Sequence, residues 1–462
     1  MKKIISILCS SLFITISFAQ NEKVLSVDDF IEKVKMHHPL AKVANIQIAK
    51  ANANLLTAKG GFDPVAEFNA TSKTFDAKNY YYYSNASVNI PLPVGDIKTG
   101  IENNGGQFLE SEISSGRSSY LGLEIPIAKG LLIDKRRAFL QQAKIAVQQN
   151  TAQQKAMLND LLLEAYVSYY QWAGAYRLYN VYNSYVQVSN GRLRLVKTLN
   201  ANGDRALMDT VEAFTQLQNF QLLQGEASIK LTSGILDLNN FIWDGQGIAQ
   251  NIATDVVPDT TIFSNNASSK TLLDLLQNSA LQNPILQQYK FKIDGLKVER
   301  KLKYQNLLPT INLKGNILNK DYYALKNFGT SLLDNNNRWG IAVKVPLRFR
   351  EGRGEYRLAK LKIEESTLEL KQKTQEVENK IKDYYNQFLL LQTQLQTAND
   401  AFKNYNSLLR NETLRFTNGE SSLFLVNTRE NKVLEMQQKI IEIQVKLLKA
   451  KYSLDWAAGL LQ

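Results

Sequence analysis

HHPLAKVANIQIAKANANLLTAKGGFDPVAEFNA, residues 37–70, and QNPILQQYKFKIDGLKVERKLKYQNLLPTINLKG, residues 282–315, decide the fold, because they read as one stretch written twice. In each, a proline opens a segment of helical period, and a second proline, at the same spacing in both, opens an alternating one: Pro39 and Pro64, then Pro284 and Pro309. Beyond Pro64, Val65, Glu67 and Asn69 alternate with Ala66, Phe68 and Ala70; beyond Pro309, Ile311 and Leu313 alternate with Asn312 and Lys314. Period two marks a half-buried strand.

Two more landmarks recur in the same order. GLEIPIAKGLLIDKRRAFLQQAK around Pro126 resembles AVKVPLRFREGRGEYRLAKLK around Pro346: strand, proline, basic glycine-containing turn, long helix. LNANGDRALMDTVEA resembles RFTNGESSLFLVNTRE, with Gly203 and Gly419 in register. The chain is therefore a duplication, with a first repeat over 20–257 and a second over 258–462. The interval from Pro64 to Pro126 is much longer than that from Pro309 to Pro346, so the first hairpin carries an insert within 76–116. Its sequence, including NYYYYSNASVNIPLPVGD, is compatible with a long loop or with extended strands.

No proline lies in 127–257 or 347–462, so both stretches are free to be helical throughout. Val377, Ile381, Tyr384, Phe388, Leu391, Leu395, Ala398, Phe402, Tyr405 and Leu409 step by four and three, a heptad seam. It resumes after Gly419 as Val433, Met436, Ile440, Ile443, Leu447, Ala450, Leu454 and Ala457. Moved back onto the first repeat in the register of Gly203 and Gly419, it reads Leu161, Ala165, Ser168, Trp172, Ala175, Tyr179, Tyr182, Val186, Ser189 and Leu193, with smaller side chains. A helix from about 134 to 200 would be about 100 Å long. Turns at 201–206 and 417–422 would fold each stretch into an antiparallel hairpin.

The chain opens with Lys2 and Lys3, then the apolar run IISILCSSLFITISFA ending at Ala19. That is the pattern of a secretory leader, 1–19. The single cysteine, Cys9, lies inside it, so the remaining chain has no thiol for an export compartment to oxidise. Formal charge is +12, or +10 once Lys2 and Lys3 are removed, which fits a surface near anionic lipid. Beyond the leader no apolar run is long enough for a spanning helix, so membrane crossing would require a closed β-barrel. Each repeat offers two strands of about 10 residues, near 64–75, 117–127, 309–318 and 338–347, the length that crosses a bilayer when tilted. Four strands cannot close. Two copies would give a filled barrel, and three copies would give twelve strands around a lumen.

In its paired repeats, its strand–proline–basic-turn–helix junctions at Pro126 and Pro346 and its turns at Gly203 and Gly419, the chain resembles the TolC-like outer membrane efflux proteins over about residues 22–461. The resemblance implies long α-helical hairpins forming a periplasmic α-barrel, plus four β-strands per protomer in a 12-stranded trimeric β-barrel. It implies a homotrimer in outer-membrane lipid, docked by a periplasmic adaptor (membrane fusion) protein and an inner-membrane pump, through which substrates pass without chemistry. The family's Val-Gly-x-x-x tip, which meets the adaptor, falls on Asn202, Gly203, Asp204, Arg205 and Ala206 and on Asn418, Gly419, Glu420, Ser421 and Ser422. The valine is asparagine in both copies. Carboxylates just past the tip ring the closed entrance in the family. Asp209 matches one; the second repeat has Leu425 and Thr428 there, leaving Asn427 and Glu430 as partial substitutes.

Other readings remain beside this one: the outer-membrane component of a type I protein secretion system, or a soluble periplasmic coiled-coil scaffold in which 309–347 is plain loop. The even spread of Lys and Arg argues against nucleic acid. No GxSxG, HExxH, CxxC or P-loop is present, and His37 and His38 are the only histidines, so neither an enzyme nor a metal or cofactor site is expected. Tyr80–Tyr83, with Tyr322 and Tyr323, suit an interfacial aromatic girdle. Lys135, Arg136, Arg137, Arg348, Arg350 and Arg353 suit contact with lipid phosphates. Trp172 suits seam packing.

Overall fold

The structure is a computed structural model that describes residues 23–110, 113–253, 255–263, 270–320 and 336–461. The expected leader and the Tyr322–Tyr323 pair lie outside the described residues. In chain order the elements are β1 Lys23–Leu25, α1 Val27–His37, α2 Pro39–Gly60, β2 Val65–Phe75, β3 Lys78–Leu92, β4 Gly95–Gly105, β5 Gly116–Pro126, α3 Lys135–Ala201, α4 Leu207–Asn239, β6 Val256–Pro258, α5 Leu272–Gln282, α6 Pro284–Tyr304, β7 Thr310–Lys320, β8 Asn337–Lys344, α7 Arg350–Thr417 and α8 Leu423–Ala458.

The duplication is visible in the backbone. Helix α1 precedes α5 by the same interval that separates β2 from β7, and the caps keep that offset. Ser26 and Thr271 each accept the N–H of an aspartate three positions on, Asp29 and Asp274, and so satisfy a helix-start amide that has no partner in the helix. Pro39 and Pro284 then open α2 and α6 at the first helical position, where a missing N–H costs nothing.

The chain divides into two compact units, each built from both repeats: Met1–Pro39, Leu162–Ser269 and Gln387–Tyr452 form one, and Leu40–Leu161, Lys270–Asn386 and Ser453–Gln462 the other. In the first unit, the inward stripes of α3, α4 and α8 bury Leu178, Tyr182, Phe220, Ala227, Leu434 and Ile441 together. Trp172 is buried as seam packing, and Gly234 of α4 passes so close that a Cβ there would lie 3.3 Å from the Trp172 Cα. The short strands β1 and β6 pair in parallel. In the second unit, Leu275, Leu286, Val377, Ile381 and Leu454 form a core between helices of both repeats.

The second unit also holds a six-stranded antiparallel sheet, ordered β2-β3-β4-β5-β7-β8. The four expected strands are all present. The insert, left open by the sequence, forms β3 and β4, so the count of four strands per chain becomes six. Pro91 closes β3 opposite Asp96 and Pro93 lies in the β3–β4 turn, where Leu92 faces Gly95 and ladder hydrogen bonds end.

Candidate functional site

The sheet has two unlike faces. Antiparallel partners share a face, so a row can be followed across all six strands: Ala66, Val88, Thr99, Leu121, Ile317 and Asn337. The neighbouring rows on that face add Phe68, Ile90, Ile97, Leu123, Leu313 and Ile341. The next row over lies on the opposite face: Val65, Asn89, Lys98, Gly122, Asn316 and Arg338. On that face Glu124 accepts from Lys98 at 3.2 Å and lies 3.5 Å from Lys314. The apolar face is bare: Trp339 is 75 % exposed and Phe68 71 %. Among the described residues no packed layer covers it, as a sheet in water would need.

At the foot of the sheet, beside the helices, Arg136 bonds Asp96 of β4 at 2.8 Å and Asp134 at 3.2 Å. Burial alone would raise the Asp134 carboxyl, but the Arg137 backbone N–H and the Arg137 and Arg136 side chains outweigh it and hold it below its ordinary value. Arg136 and Arg137 are thus committed to fixing the strand–helix junction. Arg348, Arg350 and Arg353 are exposed. At the far end of the sheet, Tyr80 packs on Phe75 and Phe108 with ring centroids 6.2 and 4.9 Å apart. Tyr81 and Tyr83 stack on the polar face at 4.7 Å.

The helical turns repeat one backbone. Gly203 and Gly419 adopt φ of 83° and 80°, the left-handed conformation that ends helices. Asp204 N–H donates to Leu199 carbonyl at 2.9 Å, and Glu420 N–H to Arg415 carbonyl at 2.8 Å, the same bond in the second repeat. The side chains differ. Arg205 lies over the Phe416 ring at 4.2 Å and donates to its carbonyl at 3.1 Å, tying the two tips together. Ser421 bonds the buried Glu412. Asn202, Gly203, Asp204, Ala206, Asn418, Gly419, Glu420 and Ser422 are exposed. Asp209 is half-buried in the first turn of α4.

The family model "Outer membrane efflux protein" matches residues 275–460. That match covers the second repeat, so the second repeat is similar to the outer membrane efflux proteins. The chain's fold extends the likeness over both repeats. The Campylobacter jejuni CmeC outer membrane channel matches with TM-score 0.64 at 14% identity, over 94% of this chain and 85% of that one. The Vibrio cholerae outer membrane protein VceC matches with TM-score 0.64 at 15% identity, over 94% and 96%. The open-state Neisseria gonorrhoeae MtrE outer membrane channel matches with TM-score 0.64 at 11% identity, over 94% and 88%. Among curated proteins, none matches in sequence.

One expected site is corrected by burial. Asn427 and Glu430, read as partial substitutes in an entrance ring, point into the helices and are 3% and 4% exposed. Arg192 of α3 grips both Glu430 oxygens at 2.7 Å and Asn427 at 3.2 Å, while Asn427 donates to Glu212 of α4 at 3.0 Å. The signal was in the sequence: Glu430 falls seven positions after Leu423 and three before Val433, on the buried stripe of α8. Spacing from Gly419 alone missed it, as it missed Arg192, a partner far away along the chain.

Proposed function

We propose that this chain is an outer membrane efflux channel, three copies of which close their sheets into one membrane barrel, extend it as a periplasmic tunnel of long helices, and conduct substrates outward without chemistry. An adaptor protein docks at the exposed tips, 202–206 and 418–422, and an inner-membrane pump supplies the driving force.

The observation that carries this reading is the amphipathic sheet with two free edges. Its apolar face suits hydrocarbon and its polar face suits water. The edges, β2 and β8, present unpaired amides that lipid cannot satisfy. Six strands are too few to close alone, because single-chain barrels begin at about eight. A soluble scaffold has no use for such a sheet, and the plain loops it requires at 309–347 are replaced over Thr310–Lys320 and Asn337–Lys344 by strands. Helix α4 adds a second unpartnered stripe: Leu222, Ile229 and Leu236, at heptad spacing, are 71%, 69% and 61% exposed. A neighbouring copy covers such a stripe in a helical cylinder. Strand number alone would allow two copies; three follows from the family resemblance.

Asp209 of each copy is proposed to stand at the tunnel mouth, where three like charges on one axis favour cations. The exposed Arg348 and Arg350, at the sheet foot, suit phosphates of the inner leaflet. Outer-membrane extracts should yield a detergent-resistant trimer that forms pores in planar bilayers. Asp209→Asn should lower cation preference with conductance retained; an unchanged reversal potential would remove Asp209 from the mouth. A soluble periplasmic monomer would end the whole reading.

A further inference from the structure

The insert is not a surface ornament. Strand β4 pairs with β3 from Tyr82–Gly105 to Leu92–Gly95, and with β5 from Asp96–Glu124 to Asn104–Gly116, without a break in either ladder. Side chains stitch the same seams. Tyr120 of β5 lies across Gly100 of β4, where a Cβ would fall 2.8 Å from its hydroxyl, and its O–H donates to Asn85 of β3 at 3.4 Å. Thr99 Oγ1 donates to the Tyr120 carbonyl at 3.0 Å, and Arg136 holds Asp96 at the base. The inserted strands also keep the sheet's alternation: Ala86, Val88 and Ile90 continue the apolar face, while Asn85, Ser87 and Asn89 continue the polar one.

From this continuity we propose that the β3–β4 hairpin is a stave of the membrane wall, so that the trimer closes an eighteen-stranded barrel whose lumen admits solutes that a twelve-stranded one excludes. The inference rests on the trimeric duct proposed above. Barrel diameter grows almost in proportion to strand number. With strands about 4.8 Å apart and tilted by about 40°, twelve give a backbone radius of about 12 Å and eighteen about 18 Å. Barrels of 16–18 strands leave an open aqueous channel. The lining this hairpin adds is hydrophilic and mixed in sign: Asp96 and Glu102 beside Lys98, with amides and hydroxyls between. Apart from the stacked Tyr81 and Tyr83 at one end, such a wall offers little apolar surface and does not strongly sort ions. The solute class it fits is large and hydrated, of folded-peptide size, and the narrowing that selects would lie at the helical mouth.

The test compares the full-length trimer with a variant lacking residues 78–105, in which 106–115 joins β2 directly to β5. Polyethylene glycols of graded size are added to the outer side only, and the largest that depresses single-channel conductance is recorded. The wild type should admit polymers of at least about 1.5-fold greater radius, since inward side chains take the same depth from backbone radii in the ratio of eighteen strands to twelve. Equal cut-offs would overturn the inference while leaving the channel reading intact. Failure of the wild type to form pores at all would sink the channel reading itself. Should the deletion variant fail to assemble, Asn85→Cys and Ala86→Cys are compared in the intact trimer. A water-soluble, membrane-impermeant maleimide should label Asn85→Cys and spare Ala86→Cys; equal labelling would place the hairpin outside the wall.

Discussion

The two repeats keep the same backbone punctuation and rewrite almost everything between. His38 and Asn283 occupy equivalent places in the two repeats, each closing the preceding helix with its N–H on Val34 or Ser279 carbonyl, at 3.1 and 3.0 Å. Yet Asn283 caps α6, accepting from the Ile285 and Leu286 amides and donating to Ala457, whereas His38 stacks on Phe241 and edges against Trp243. Likewise, both tips end in a left-handed glycine, but only the first repeat supplies an arginine, Arg192, that grips the second repeat's Glu430; its own counterpart is the exposed Leu408. The first repeat also gives four strands to the sheet and the second two. Positions that set the chain's path are repeated, and positions that meet neighbours have diverged.

Several substitutions probe that asymmetry. The largest effect is expected at the buried ion pair. Glu430→Ala leaves the half-buried Arg192 with Asn427 but no carboxylate, and should cost about 3 kcal/mol. Leu408→Ala should change little. Joint replacement of Arg192 and Glu430 by leucine should recover much of the loss, and thermal denaturation of the detergent-solubilised trimer measures all three. Equal losses in Glu430→Ala and Leu408→Ala would erase the difference between the repeats here. Next comes the cap: Asn283→Ala should lose about 1–2 kcal/mol, since two helix-start amides lose their acceptor. The tips should instead behave alike. Gly203→Ala and Gly419→Ala each place a Cβ in the left-handed region, at about 1–2 kcal/mol apiece; unequal costs would show that the backbone equivalence is not energetic.

The smallest effect is a pH dependence peculiar to the first repeat. Burial pushes the His38 imidazole below its ordinary 6.5, and a hydrogen bond to the Asn240 backbone offsets this only partly. The native state therefore prefers the neutral ring, while the unfolded chain takes up its proton near 6.5. That stability is fully present above the unfolded value and is lost as pH falls through the folded one. His38→Asn, which imports the second repeat's cap, should flatten this acid limb in melting temperature against pH. An identical limb in the variant would exclude His38 as its source.

Much of this was legible beforehand, for physical reasons. Prolines and glycines dictate backbone conformation one residue at a time, so Pro39, Pro284, Gly203 and Gly419 marked helix starts and turns directly. The seam from Val377 to Leu409 needed only period counting, and Val377, Ile381, Phe388 and Ala398 on it are buried. Strands β3 and β4 were harder. The polar face of β3 alternates Asn, Ser and Tyr rather than charges, and Pro91 breaks the run, so local pattern cannot separate wall from loop. Glu430 was half legible: its place between Leu423 and Val433 marks the buried stripe, but its partner, Arg192, lies far away in sequence.

The central claim is that β2 of one copy pairs with β8 of the next. The chain's single cysteine lies in the expected leader, so engineered cysteines report cleanly. Asn69→Cys on β2 is combined in turn with cysteine at Arg338, Gly340, Ala342 or Lys344 on β8, all on the polar face, and oxidised in native membranes. The account predicts that at least one pair yields a covalent trimer on denaturing gels while each single variant stays monomeric. Cross-linking that stops at a dimer for every pair, or that never occurs, would contradict it.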